Sequence, residues 1–168
     1  MAYSACRKSL GAILLTPLFA AFAAAANLPR VTTSNHGTIT QPPAQTHVSS
    51  GASIPFSYQD SNWCEGGYSP ISVWLLASSS APTTANLNAS GKLPESDATY
   101  YLGAFTVPNF GLPANGNTLP PASLTVPDVS GYASGSDLYL AVVETANTCP
   151  PGNQPAQYGM TSVQLVIA

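Results

Sequence analysis

Residues 138–144 read LYLAVVE, and residues 71–76 read ISVWLL. Both are short apolar runs rich in β-branched and aromatic side chains. That composition fits a strand covered on both faces, and neither run is long enough for a buried helix. Residues 138–144 read as a central strand, and residues 71–76 as a buried one. Around them the pattern has period two. Tyr100 to Val107 (YYLGAFTV) is a further long strand, and Met160 to Ile167 closes the chain. Ile54, Phe56 and Tyr58 alternate with Ser53, Ser57 and Gln59, while Pro55 confines that strand to an edge or a bulge. Thr38 to Gln41 is stopped by Pro42-Pro43, and His47-Val48 continue it after a proline kink. Ser123 to Val126 is bounded by Pro120-Pro121 and Pro127.

About seven strands with Gly/Pro turns predict an all-β domain, an antiparallel sandwich of two sheets around one core. No segment beyond the first 26 residues holds an apolar 3.6 period for three turns. Long connections interrupt the strands at 77–99, 108–121 and 146–158. Connections of that length are uncommon and are often functional or mobile.

Composition agrees. The chain has 168 residues, 45% apolar and only 7% charged, with 16 Pro and 13 Gly. Proline at that density opposes a helical body. Ample apolar content with little charge opposes disorder. The net charge of -3 excludes a partner held by phosphate neutralisation, so no nucleic acid is expected.

Residues 1–26 read as a cleaved signal peptide. Arg7 and Lys8 form its positive region, residues 10–22 (LGAILLTPLFAAF) its apolar region, and Ala23 to Ala26 its small-residue cleavage site. The apolar stretch spans only about 20 Å as a helix, too short for a membrane core of about 30 Å. Residues 27–35 read as an N-terminal tail and residues 36–168 as the domain. The expected product is secreted and extracellular, with no membrane attachment after cleavage. Two basic residues, Arg30 and Lys92, against seven acidic ones then leave a net charge of −5. Solubility falls to uncharged groups: Ser and Thr make up 32 of the 142 residues left after the signal.

Cys6 departs with the signal, leaving Cys64 and Cys149 as a pair in an oxidising compartment. A disulfide is the natural reading. His36 and His47 have no ligand spacing to the cysteines, so no metal or cofactor is assigned. Asn88-Ala89-Ser90 is an N-glycosylation sequon.

The opening Gly37-Thr38-Ile39-Thr40-Gln41-Pro42, then Gly51 and Ile54-Pro55-Phe56-Ser57-Tyr58, resembles that of small secreted fungal Ig-like domains. These include Kre9/Knh-type cell-wall domains and necrosis-inducing secreted effectors. Asp137-Leu138-Tyr139 is similar to the Asp-x-Tyr pattern of Ig-like strands. Where antibody domains place a cysteine two residues after that tyrosine, Ala141 stands here. The resemblance implies a fungal Ig-like or fibronectin-like sandwich and transfers no catalytic residue.

The densest chemistry lies in residues 60–68, DSNWCEGGY. A Cys64–Cys149 bond would bring this loop to residues 145–152, with Glu65 and Glu144 approaching each other and Asp60 nearby. Two carboxylates are the minimum for glycoside hydrolysis, and they can also ligate a hard cation; the plainer reading is a pair of solvated residues at strand ends. Trp63 and Tyr68 offer flat apolar faces on which sugar rings can stack, with Phe110, Tyr132 and Tyr158 as possible extensions. Trp74, inside an apolar strand, reads as core. Gly67-Tyr68-Ser69-Pro70-Ile71 fails the Gly-x-Ser-x-Gly elbow at its last position. The leading expectation is a non-enzymatic recognition or structural protein meeting a cell-wall polysaccharide or an extracellular protein through its long loops. The alternatives are a carbohydrate-binding module using Trp63 and Tyr68, and a small hydrolase using Glu65 and Glu144.

Overall fold

The computed structural model describes residues 31–152 and 154–168; the expected signal peptide lies outside the described residues. The described chain is all-β. Its strands are β1 (Val31–Thr32), β2 (Thr38–Gln41), β3 (Thr46–Val48), β4 (Ser53–Pro55), β5 (Ser57–Gln59), β6 (Tyr68–Ala77), β7 (Thr99–Pro108), β8 (Ser123–Thr125), β9 (Asp137–Ala146) and β10 (Gln157–Ile167). One 3-10 turn, Thr84–Asn86, sits between β6 and β7.

The apolar runs at 71–76 and 138–144 lie side by side. A large sheet has the order β1-β10-β9-β6-β7, with β3 also on β10. Its four long strands are antiparallel. The expectation of a wholly antiparallel architecture needs one correction. Val31–Thr32, expected in the tail, pair in parallel with Gln157 and Tyr158, and β3 pairs in parallel with Leu165–Ile167. These two short strands share one edge of β10, at opposite ends. Between them the chain leaves the sheet to form β2, which pairs with β5. The proline pair therefore separates two strands with different partners; β3 does not continue β2. β4 pairs with β8, and Pro55 sits in that short ladder opposite Ser123.

Alternation along β9 explains why its sequence is apolar at successive positions. Leu138, Leu140 and Val142 face one cluster, with Ile71, Val73 and Leu75 of β6 and Leu165 of β10. Ile54, Phe56, Tyr58 and Leu124 of the two short ladders, with their flanks, close that cluster. Ala141 and Val143 face the opposite side, with Trp74, Leu76 and Met160.

That second face is covered by the connection between β6 and β7. Leu87 and Leu93, the large apolar residues of an otherwise polar stretch, are each 2% exposed and pack on Trp74. The connection is thus a packed lid over its length near these leucines. Burying each leucine contributes about 1.5–3 kcal/mol, which offsets ordering a stretch without regular ladders. Gly91 permits the close approach: a Cβ there would lie 2.0 Å from the Tyr158 ring, and its φ is +70°. No helix among the described residues is long and apolar enough to cross a membrane.

Candidate functional site

In β9, every second residue from Leu138 onward enters the main core, and Glu144 is the next in that series. It pairs in register with Ile71 of β6 and Gly159 of β10. Its carboxylate is therefore delivered to the end of the core, and it is 2% exposed. A carboxylate there is costly unless its oxygens are met by donors.

Five donors meet it. The Tyr58 hydroxyl donates to Oε2 at 2.7 Å and the Gly37 amide at 3.0 Å. The Ser61 amide donates to the same oxygen at 3.3 Å, and the Asn62 amide to Oε1 at 3.3 Å. The Ser61 hydroxyl completes the set at 3.5 Å from Oε1. Glu144 thereby ties together the segment before β2, strand β5 and the loop 60–67. Gly37 is placed so tightly that a Cβ would lie 2.2 Å from the Gln59 carbonyl. Burial first, and the Glu144 carboxylate second, push the Tyr58 phenol far above its ordinary pKa. Tyr58 stays protonated and acts as a fixed donor.

A second network runs beside the first. The Ser69 hydroxyl donates to Asp60 Oδ2, and the Asn109 side-chain amide donates to Ser69 Oγ at 3.0 Å and to the Gly66 carbonyl at 2.9 Å. The Asn109 backbone amide donates to Gly67 O at 2.9 Å. Asn109 begins a tight turn in which the Leu112 amide donates to its carbonyl at 2.9 Å. Phe110 and Gly111 have φ of 54° and 71°. Positive φ at both central residues is the type I′ pattern, which favours Asn, Asp or Gly at the first of them. Phe110 holds that place and is 73% exposed.

Cys64 and Cys149 are disulfide-bonded, with their Cα atoms 4.4 Å apart. The bond brings loop 60–67 against the segment after β9, as expected. Between the two lies a cavity of about 180 Å³ whose lining includes Asn62, Trp63, Tyr68, Asn147, Thr148 and Glu144. The Trp63 indole N–H donates to Gln157 Oε1 at 3.4 Å. The Tyr68 hydroxyl donates to the Pro113 carbonyl at 3.0 Å. Both rings are half-buried members of the wall.

The candidate carboxylates do not share one hydrogen-bond network. Glu144 and Asp60 belong to different networks, while Glu65 is exposed, with φ 53°, and is not part of the cavity lining. Glu144, in the plainer reading a solvated strand-end residue like Glu65, is instead buried and bonded. Both Glu144 oxygens accept from fixed donors, so a hydrolytic acid–base pair has no support in this arrangement. Of the three outlying aromatics, Phe110 follows Asn109, which is bonded to the lining residues Gly66 and Ser69, and is not itself part of the lining. Tyr158 packs on the second core, and the Tyr132 hydroxyl donates to the Asp97 carbonyl at 3.1 Å. Trp74 is core, 1% exposed. Asn88 is exposed, and its Oδ1 accepts from the amides of Ser90 at 2.9 Å and Lys92 at 3.1 Å. His36 Nδ1 lies 2.8 Å from the Gly37 carbonyl. Sequence reasoning missed the bonding roles of Gly37, Tyr58, Ser61 and Asn109; the alternation that includes Tyr58 reports a covered strand face and not the carboxylate its hydroxyl meets.

No family model matches the chain, and no curated protein matches it in sequence.

Proposed function

We propose that this chain is exported by residues 1–26 and works outside the cell as a non-enzymatic recognition protein. It would act at a cell wall or a host surface through the loops at the disulfide end. On this reading the scaffold is an Ig-like or fibronectin-like sandwich, its short ladders β2–β5 and β4–β8 facing the large sheet across one core.

The observation that carries the reading is the immobilisation of loop 60–67. One disulfide, the Glu144 donor set and the Asn109 bonds hold it from three sides. Loops fixed before contact lose less freedom on binding, which is how a small surface reaches useful affinity. Glu144 serves to fix the loop, which leaves the neutral cleft side chains as the groups that meet a partner.

The test is retention of the secreted protein on intact fungal cells, isolated walls and plant tissue. An Asn62→Ala/Asn147→Ala variant alters the disulfide end, and Ser79→Ala/Tyr132→Phe alters a separate surface cavity that Ser79, Tyr132 and Asp137 line. Loss from the supernatant is expected for wild type and for the second variant, with the first remaining free. Equal retention of both variants, or retention of none on any surface, overturns the reading.

A further inference from the structure

A long uncharged stretch reaches the disulfide end along β7: from residue 98 to residue 127 there is no Asp, Glu, Lys or Arg. This stretch includes the turn at 109–112 and the exposed residues Phe110, Leu112 and Leu119. Inside the cleft, the Glu144 carboxylate is met by its five donors. Glu65, the exposed charge of loop 60–67, is not part of the lining. Among the described residues, nothing in the cleft lining offers a free charge to a phosphate, a carboxylate or an ammonium group.

What the cleft does offer is neutral hydrogen-bonding capacity beside aromatic surface. The side chains of Asn62, Asn147 and Thr148 line it and make no hydrogen bond to other described residues. Its 180 Å³ is on the scale of one sugar ring. Phe110 is the next residue after Asn109, whose side chain is bonded to Gly66 and Ser69, both lining residues. Its ring is 73% exposed and its backbone takes a conformation disfavoured for a bulky residue. Backbone strain held at a largely exposed position is one of the features that cluster at ligand contacts.

We infer that the partner at this end is a neutral glycan chain. One pyranose ring occupies the cleft, its hydroxyls bonded by Asn62, Asn147 and Thr148. A neighbouring ring lays its C–H face on Phe110. The inference rests on the proposed recognition role and gives it a chemical class. A neutral polysaccharide matches a surface with uncharged donors and acceptors and an exposed ring; a charged peptide or an anionic lipid surface does not.

The experiment is an amide-resolved NMR titration of the secreted, disulfide-bonded protein. The probes are cello-, laminari-, chito- and mannohexaose, with oligogalacturonate as the anionic comparison. At least one neutral hexaose is expected to shift amides within 62–70, 109–112 and 144–148, and oligogalacturonate to shift none of them. Phe110→Ala should weaken that binding about tenfold, the loss of one well-placed aromatic contact, while its melting temperature stays within a few degrees of wild type. Shifts located elsewhere, or none with any neutral hexaose, overturn the inference. If the protein is still retained on walls in that case, and protease treatment of the walls abolishes retention, the partner is a protein and the recognition role stands. Absence of both binding and retention removes both readings.

Discussion

The Tyr58 hydroxyl donates a 2.7 Å hydrogen bond to the Glu144 carboxylate, linking strand β5 to the end of strand β9 across 86 positions of sequence. The bond is buried, and the same carboxylate oxygen accepts from Gly37 and Ser61. One acidic side chain thus ties the start of the β2–β5 ladder and the loop that follows β5 to the end of β9.

Removing either partner should be costly. Glu144→Gln replaces an oxygen by an amide facing fixed donors, and should lower unfolding free energy by about 2–4 kcal/mol. Tyr58→Phe removes one donor to a charged acceptor and should cost about 1.5–3 kcal/mol. Urea unfolding checks both. An effect below about 0.5 kcal/mol for Glu144→Gln would show that the carboxylate is not the organising group.

Alkaline pH should expose the same contact. The folded pKa of Tyr58 is raised by burial and by Glu144, so above about pH 10 the unfolded chain releases a proton that the folded chain keeps. Its contribution is complete below the unfolded pKa and is lost as pH rises beyond it, at about 1.4 kcal/mol per pH unit. Wild type should therefore lose stability faster than Tyr58→Phe between pH 10 and 11. Parallel slopes in the two proteins would refute the assignment.

The disulfide spans 85 positions. In the chain-entropy account a loop of that length is worth roughly 4.5 kcal/mol, with measured bridges more often at 2–4. Cys64→Ser/Cys149→Ser should lower stability within that range and increase hydrogen exchange at the amides of Ser61, Asn62 and Glu65. Unchanged exchange there would mean that Glu144 and Asn109 hold the loop unaided.

The connection between β6 and β7 should behave as core. Leu87→Ala should cost about 2–4 kcal/mol, the penalty of a buried leucine deletion. Gly91→Ala should be destabilising as well, because its methyl would collide with the Tyr158 ring at a positive φ. Neutral outcomes for both in thermal unfolding would contradict a packed lid.

The long strands were legible because each carries its own signal. LYLAVVE is apolar at successive positions since β9 is buried on both faces, and alternation at Ile54, Phe56 and Tyr58 reports a strand with one covered face. Cys64 and Cys149 were readable as the remaining pair. The lid was not read, although Leu87 and Leu93 stand out in a polar stretch, because two leucines without a period look like any loop. The parallel placement of β1 and β3 was hidden for a similar reason, since two or three residues hold no pattern. The role of Glu144 was misjudged because a single acid at a strand end is usually solvated. Its partners Gly37, Tyr58 and Ser61 lie 107, 86 and 83 positions away from it in sequence, and only the fold brings them to it. The turn at Asn109-Phe110-Gly111-Leu112 was masked by its bulky second residue, where Asn or Gly would have announced it.

The sequon can be checked by mass. Asn88 is exposed, and its Oδ1 is engaged by two backbone amides, so the side-chain nitrogen is the atom left for sugar attachment. Secretion from a eukaryotic host should yield a protein whose excess mass is removed by an amidase specific for N-linked glycans and is missing in Asn88→Gln. Identical masses for the two, after allowing for the substitution, would exclude modification at this position.

The central claim is that the disulfide end is built for contact at the expense of local stability, and Phe110 is where the two demands separate. Phe110→Asn places a residue suited to positive φ in the turn, which should raise stability by about 0.5–1 kcal/mol and the melting temperature by roughly 2–4 °C. Measured side by side with retention on cell walls, the variant should be the more stable protein and the poorer binder, by about tenfold. A lower melting temperature, or wall binding equal to wild type, would contradict the account.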